Sequence, residues 1–152
     1  MSKSAPKVIG ITLGDPAGIG PEITAKALAR IPLDSSVYFL VIGDAFSFKR
    51  YFPKPRKNVI FCLIGSSRPG ACAPGKPAAQ SGEFSFQFLQ KSVELLKQNK
   101  IQAVVTAPLS KELVCRFKPG FHGHTEYFAH AFGIRKFDMM FVADELKTVV
   151  MT

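Results

Sequence analysis

Apolar and β-branched residues fill the run "VIGITL", Val8 to Leu13, which ends abruptly in the glycine-rich stretch "GDPAGIGPE", Gly14 to Glu22. A short continuous apolar run bounded by turn residues predicts a buried strand rather than a half-exposed one. Pro21 suits the first turn of a helix, where its missing N–H would have no partner in any case. That helix is predicted to reach about Arg30, where "IPLD" interrupts it. A second strand, Val37 to Ile42, ends at Gly43 and Asp44, a short amphipathic helix follows to about Phe52, and a third strand covers Asn58 to Ile64.

The stretch Gly65 to Gly82 is crowded with Gly, Pro and Ser and is predicted to be irregular. Segments of that length without an element are uncommon in compact domains and tend to be functional or mobile. From Glu83 to Gln98 the residues Phe84, Phe88, Leu89, Ser92, Leu95 and Leu96 fall on one side of a helix. "IQAVVTAP" is then a strand stopped by Pro108. Strands alternating with helices predict an α/β fold of three layers, a mostly parallel sheet covered on both faces.

The last third has another pattern. "HTEYFAHAFG" predicts one short helix with Gly133 as its stop, and "FDMMFVA" and "KTVVMT" predict an antiparallel hairpin turning near "DEL". The domain boundary is therefore drawn at 120, with a first α/β lobe over 1–120 and the start of a second over 121–152. The final strand runs into the chain end, an edge of the kind that a further element covers.

Ligands of open α/β sheets collect beyond the carboxyl ends of the strands. "GDPAGIG", Gly43–Asp44, the Gly/Pro/Ser stretch and "TAPLSKE" all lie there. The first loop is neither a dinucleotide fingerprint nor a P-loop, because Gly14, Gly18 and Gly20 have the wrong spacing and no Lys follows. Its reactive side chain is Asp15, an acceptor for a substrate hydroxyl or a cap. In "TAPLSKE", Lys111 opens a helix after Pro108 and could neutralise a phosphate or carboxylate, or face solvent beside Glu112. In "FHGHTEYF", His124 and Thr125 stand at a helix start, where they could meet an anion at its positive end, cap the helix, or join a metal site. His122, His124 and His130 do not form a His-Glu-x-x-His pattern.

Composition narrows the classes. The 152 residues are enough for one domain with a sizeable core or for a piece of something larger. A net charge of +9 favours anionic partners, phosphorylated metabolites included. The densest cations, "KRYFPKPRK" from Lys49 to Lys57, come without a zinc finger, RNA-binding aromatics or a recognition helix, so they read as a solvated linking segment and nucleic acid is not expected as a partner. The longest apolar run, "VYFLVIG", is far below the ~20 residues of a membrane-spanning helix, and no secretion signal is visible, so a cytoplasmic location without membrane attachment is expected. The three cysteines, Cys62, Cys72 and Cys115, are too scattered for a disulfide framework or a metal knuckle.

Taken in order and spacing, "GDPAGIGPEI", "TAPLSKE", "GHTEYFA" and "MMFVADELKTVVMT" resemble the 4-hydroxythreonine-4-phosphate dehydrogenase (PdxA) family, and "GKPAAQSG" is similar to a further family segment. The resemblance implies part of an isocitrate/isopropylmalate dehydrogenase-like fold, with two α/β lobes and a homodimer whose active sites lie at the subunit boundary. It implies oxidation of 4-phosphooxy-L-threonine by NAD or NADP to a 3-oxo acid, which loses carbon dioxide to give 3-amino-2-oxopropyl phosphate. A divalent metal (Zn, Mg or Co) would polarise the hydroxyl. By the same resemblance His124 and Thr125 match a substrate-binding His-Thr pair, Lys111 matches a lysine beside the active site, and Asp15 stands where some members have Glu. The family's metal ligands and much of its cofactor site are expected beyond Thr152, so the chain alone is expected to be inactive. A paralogue oxidising 4-phosphoerythronate, or a non-catalytic phosphoester-binding fragment, are the alternative readings.

Overall fold

The computed structural model describes residues 6–32, 36–54, 56–65 and 72–150. Two compact units divide the chain, Met1–Gly120 and Phe121–Thr152.

The first unit follows the order β1 (Lys7–Thr12), α1 (Gly20–Arg30), β2 (Val37–Gly43), α2 (Ala45–Tyr51), β3 (Val59–Leu63), α3 (Ala79–Lys97), β4 (Ala103–Thr106) and α4 (Lys111–Phe117). Its four strands form one sheet in the order β3-β2-β1-β4, and every pairing is parallel. Parallel strands need crossovers, and crossovers are right-handed. The chain steps outward from β1 to β2 to β3 and then returns past β1 to β4, so α1 and α2 lie on one face and α3 on the other. Side chains agree: Phe61 of β3 packs edge-on against Phe48 of α2, with ring centroids 4.3 Å apart, while Gly65, just past β3, lies against Phe84 of α3.

Leu13, Val41, Ile42, Phe88, Leu89 and Ile101 are the dry centre, each 0–1% exposed. Burying a side chain such as Phe88 contributes roughly 1.5–3 kcal/mol. The buried set of α3 includes Phe84, Phe88, Leu89, Ser92 and Leu95, five of the six residues placed on its inner side by spacing alone.

Two expectations change. The helix α3 begins at Ala79, not Glu83, so the last four residues of the supposed irregular stretch are its first turn. The cause is specific: Ser81 Oγ accepts the Ala78 N–H at 3.2 Å and donates to the Ala78 carbonyl at 2.9 Å, closing the helix start from within. Gly82 is then a contact surface, because a Cβ there would stand 2.5 Å from the Leu113 carbonyl carbon. The rest of that stretch lies in part outside the described residues. The basic segment is also more than a solvated linker, since Arg56 donates to the carbonyls of Leu28 and Ile31 at the end of α1, the latter at 2.5 Å.

The second unit contains α5 (His124–Ala131), β5 (Met139–Ala143) and β6 (Leu146–Val150). The helix α5 stops at Gly133, whose φ is +68°; Ile134 donates to the Ala129 carbonyl and Gly133 to that of His130. This is the paired C-terminal bonding that glycine permits. The strands β5 and β6 pair antiparallel with Met139 opposite Val150, across a two-residue turn at Asp144 and Glu145. Every residue of both strands is exposed.

Candidate functional site

The strand order reverses between β1 and β4: α1 leaves β1 for one face, whereas α4 follows β4 and packs on α3 of the other. A crevice at the carboxyl ends of the strands opens at such a point. The loops after β1 and β4 form its two lips and are fastened by backbone. Asp15 N–H donates to the Pro108 carbonyl at 2.9 Å, and Ala107 N–H to that of Thr12 at 3.0 Å.

Gly14 makes this closure possible. Its φ is +66°, and a Cβ would lie 2.1 Å from the Pro108 oxygen and 2.6 Å from that of Ala107. Only a residue without a side chain takes this conformation at that distance. Gly20, at the start of α1, is equally confined, with the Leu13 oxygen 2.0 Å from its would-be Cβ. The glycines of "GDPAGIG" therefore let backbone meet backbone. A third loop joins them, as Gly75 N–H donates to the Ala17 carbonyl at 2.8 Å.

Asp15 is 6% exposed, and its Oδ1 accepts the Ala17 N–H at 2.8 Å. One carboxylate oxygen thus holds the turn of its own loop. Asp44, 0% exposed, caps α2 by accepting from Phe46 and Ser47 at 3.0 Å each. Lys111 is the first residue of α4, exposed, three positions beyond Pro108. Its neighbour Glu112 is taken by Arg116, at 2.6 Å, rather than by Lys111. Ser110 caps that helix through the Leu113 N–H at 3.3 Å. Asp15 and Lys111 accordingly sit on two loops that the fold ties together.

Sequence reasoning missed Cys72, which is 2% exposed. Burial first, then the negative charges of Asp44 and Asp15, push its thiol up to about 11. No motif in the sequence signals that burial.

His124 and Thr125 are the first two residues of α5 in the second unit. Tyr127 N–H is the amide that closes the first turn, onto the Gly123 carbonyl at 3.2 Å, so those of His124 and Thr125 precede the helical ladder. Both side chains are half-buried, and His124 Nε2 is shielded from solvent. Below them Tyr127 packs between Phe121 and Phe128, with centroids at 6.2 and 6.0 Å, and burial raises its phenol. Amides, imidazole and hydroxyl at the positive end of a helix suit an anionic oxygen.

Among the described residues no three His, Cys, Asp or Glu side chains form a group that could hold a metal. The divalent ion implied by the resemblance does not fit these residues. No helix among them is long and apolar enough to cross a membrane.

Comparisons with known proteins agree with the motifs. The chain is 36% identical over 160 residues to the 4-hydroxythreonine-4-phosphate dehydrogenase of Zymomonas mobilis, covering 96% of this chain and 48% of that protein. It is 34% identical over 162 residues to the D-threonate 4-phosphate dehydrogenase of Cupriavidus necator, covering 95% and 49%. Among solved structures, the 4-hydroxythreonine-4-phosphate dehydrogenase from Burkholderia phymatum superposes with a TM-score of 0.80 at 32% identity, over 96% of this chain and 49% of that one. The chain thus spans about half the length of the relatives it matches. Residues 39–152 match the family described as the pyridoxal phosphate biosynthetic protein PdxA, and the chain belongs to that family.

Proposed function

We propose that the chain forms one half of a nicotinamide-linked dehydrogenase that oxidises the secondary alcohol of a phosphorylated hydroxy acid, 4-phosphooxy-L-threonine first among them. The observation that supports this best is the meeting of the loops after β1 and β4, which carry Asp15 and Lys111 and are joined by the Asp15–Pro108 hydrogen bond. On this reading His124 and Thr125 bind the substrate with imidazole, hydroxyl and helix amides. Lys111 supplies positive charge at the β4 loop, and Asp15 keeps the β1 loop in shape while its second oxygen serves as an acceptor. The nicotinamide cofactor accepts the hydride when bound. The 3-oxo acid so formed loses carbon dioxide to give 3-amino-2-oxopropyl phosphate. The metal ligands and much of the cofactor site come from the complementary half, so the 152 residues alone turn nothing over. The complete enzyme is a cytoplasmic homodimer.

A second substrate is favoured by a specific finding. The D-threonate 4-phosphate relative is nearly as similar, at 34% identity, as the 4-hydroxythreonine-4-phosphate relative, at 36%. These compounds differ at the carbon bearing nitrogen or oxygen, so the catabolic paralogue reading becomes a matter of one polar contact. The test is NAD(P) reduction by the chain joined to a complementary family half, with divalent metal and each phosphoester in turn. Turnover of 4-phosphooxy-L-threonine, with competition by the threonate and 4-phosphoerythronate analogues, ranks the readings. His124→Ala is expected to weaken phosphoester binding by roughly ten- to a hundredfold, the loss of one charge-assisted hydrogen bond of about 1.5–3 kcal/mol. Binding unchanged in that variant would remove His124 from the site.

A further inference from the structure

Each helix runs back along the strand it follows, so α1 and α2 end beside the start of β3, at the opposite end of the sheet from the β1 and β4 loops. Between these helix ends opens a cavity of about 180 Å³. Val59 and Phe61 of β3 are its floor. Ala25 and Ala29, one turn apart on α1, leave the room that longer side chains would fill. A dry cavity of about 150 Å³ holds one benzene molecule, so this volume takes a single aromatic ring with one small substituent.

The far wall is aromatic, formed by Tyr51 and Phe52 at the end of α2. Phe52 stands edge-on to Phe61 with centroids 5.4 Å apart, and the Arg50 guanidinium lies 5.6 Å from the Tyr51 centroid. A further ring can meet such walls edge to face. The rim is cationic, with Lys54 and Arg56 on it and no carboxylate among the described residues that line the cavity. The carbonyl end of a helix repels an anion. At the end of α1 that repulsion is offset, because Arg56 donates to the carbonyls of Leu28 and Ile31. The same two bonds fix the guanidinium before any ligand arrives and leave it further N–H groups to donate.

We propose that this cavity binds a small aromatic carboxylate of the benzoate class, its ring between Ala25, Ala29 and Phe61 and its carboxylate at Lys54 and Arg56. Volume selects one ring, and the unopposed cations of the rim select the negative charge. No acid, thiol or imidazole lines the cavity, so the site binds and does not react. It shares no residue with the β1 and β4 loops, and the inference is independent of the dehydrogenase reading.

The probe is 4-fluorobenzoate, followed by fluorine NMR on the chain and on the chain joined to a complementary family half. A dissociation constant of about 1 mM or tighter is expected, within reach of a ligand of so few atoms. Benzoate is expected to displace the probe, and benzyl alcohol, with the ring but no charge, to do so roughly tenfold more weakly. Ala25→Phe and Ala29→Phe, which fill the cavity, are each expected to weaken binding roughly tenfold or more, Lys54→Ala by about two- to fivefold, and Lys100→Ala, which removes an exposed lysine outside the cavity, not at all. Amide shifts on adding benzoate to the parent chain, expected at residues 25–29, 51–54 and 59–61, give a readout that needs no variant. Shifts elsewhere, or binding unchanged in both phenylalanine variants, would place the ring at another site and overturn the proposal. Equal displacement by benzoate and benzyl alcohol would overturn the carboxylate. Binding to the chain but not to the joined polypeptide would overturn it as well, as would no binding to either at about 10 mM probe.

Discussion

Replacing Gly14 by Ala tests the closure of the crevice lips. Two costs combine. A non-glycine residue at φ +66° costs roughly 1–2 kcal/mol. The new methyl also meets the Pro108 oxygen at 2.1 Å and the Ala107 oxygen at 2.6 Å, and both are backbone atoms that cannot rotate away. Relief requires the lips to part, which loses the Asp15–Pro108 hydrogen bond, about 0.5–1.5 kcal/mol, and adds overpacking strain of about 1–3 kcal/mol. The sum is on the order of 3–6 kcal/mol, a large share of a domain stability of ~5–15 kcal/mol. Gly75→Ala is the control, since Gly75 has φ +75° but nothing within 4 Å of its would-be Cβ. It should cost only the conformational part, ~1–2 kcal/mol. Urea unfolding of both variants gives the comparison. With a slope of about 2 kcal/mol per molar, Gly14→Ala should lose roughly 2 M of midpoint and Gly75→Ala less than 1 M. Equal midpoints would refute the steric argument and with it the fastened crevice.

Gly82→Ala should destabilise the fold by about 1–3 kcal/mol although alanine is the better helix former, because α3 meets the Leu113 backbone there; thermal melts decide the sign. Arg56→Lys should cost about 1–3 kcal/mol, as a point charge cannot serve the Leu28 and Ile31 carbonyls together; a loss below 0.5 kcal/mol by urea titration would make the guanidinium ornamental. Cys72, raised to about 11 from an ordinary 9.0, should react with a disulfide reagent at pH 8 on the order of a hundredfold more slowly than a free thiol. The sign for stability follows: the folded state holds that proton more tightly, so stability should fall as pH rises from 9 to 11, and Cys72→Ser should flatten the decline.

Element order was legible from hydrophobic runs and glycine punctuation because both record burial directly. Strands at Val37 and Val59 and the stop at Gly133 came from that record alone. The start of α3 was hidden because Gly82 and Ser81 look like loop residues by composition; their use against Leu113 and Ala78 exists only after α3 and α4 meet. Arg56 was hidden for a similar reason, being one cation among five until α1 ends in front of it. In the site, Asp15 and Lys111 could be named from their loops, but the hydrogen bond that ties those loops is backbone to backbone and leaves no side-chain signature. The raised thiol of Cys72 is long-range in origin, set first by burial and then by carboxylates 28 and 57 positions earlier.

The β5–β6 ribbon has a consequence for how this polypeptide behaves in solution. Residues directly opposite share a face, so Met139, Phe141, Leu146 and Val150 crowd one side, and Met140, Val142 and Val149 the other. Both sides are greasy and open, with Val142 64% and Leu146 68% exposed. Lys147 is the sole charge within the two strands, a single gatekeeper for ten residues. Such a segment is a nucleus for intermolecular β-stacking. The net charge of +9 opposes clustering only while salt is low. Shelf life of the isolated polypeptide is therefore governed by ionic strength and concentration as much as by the strength of its α/β core.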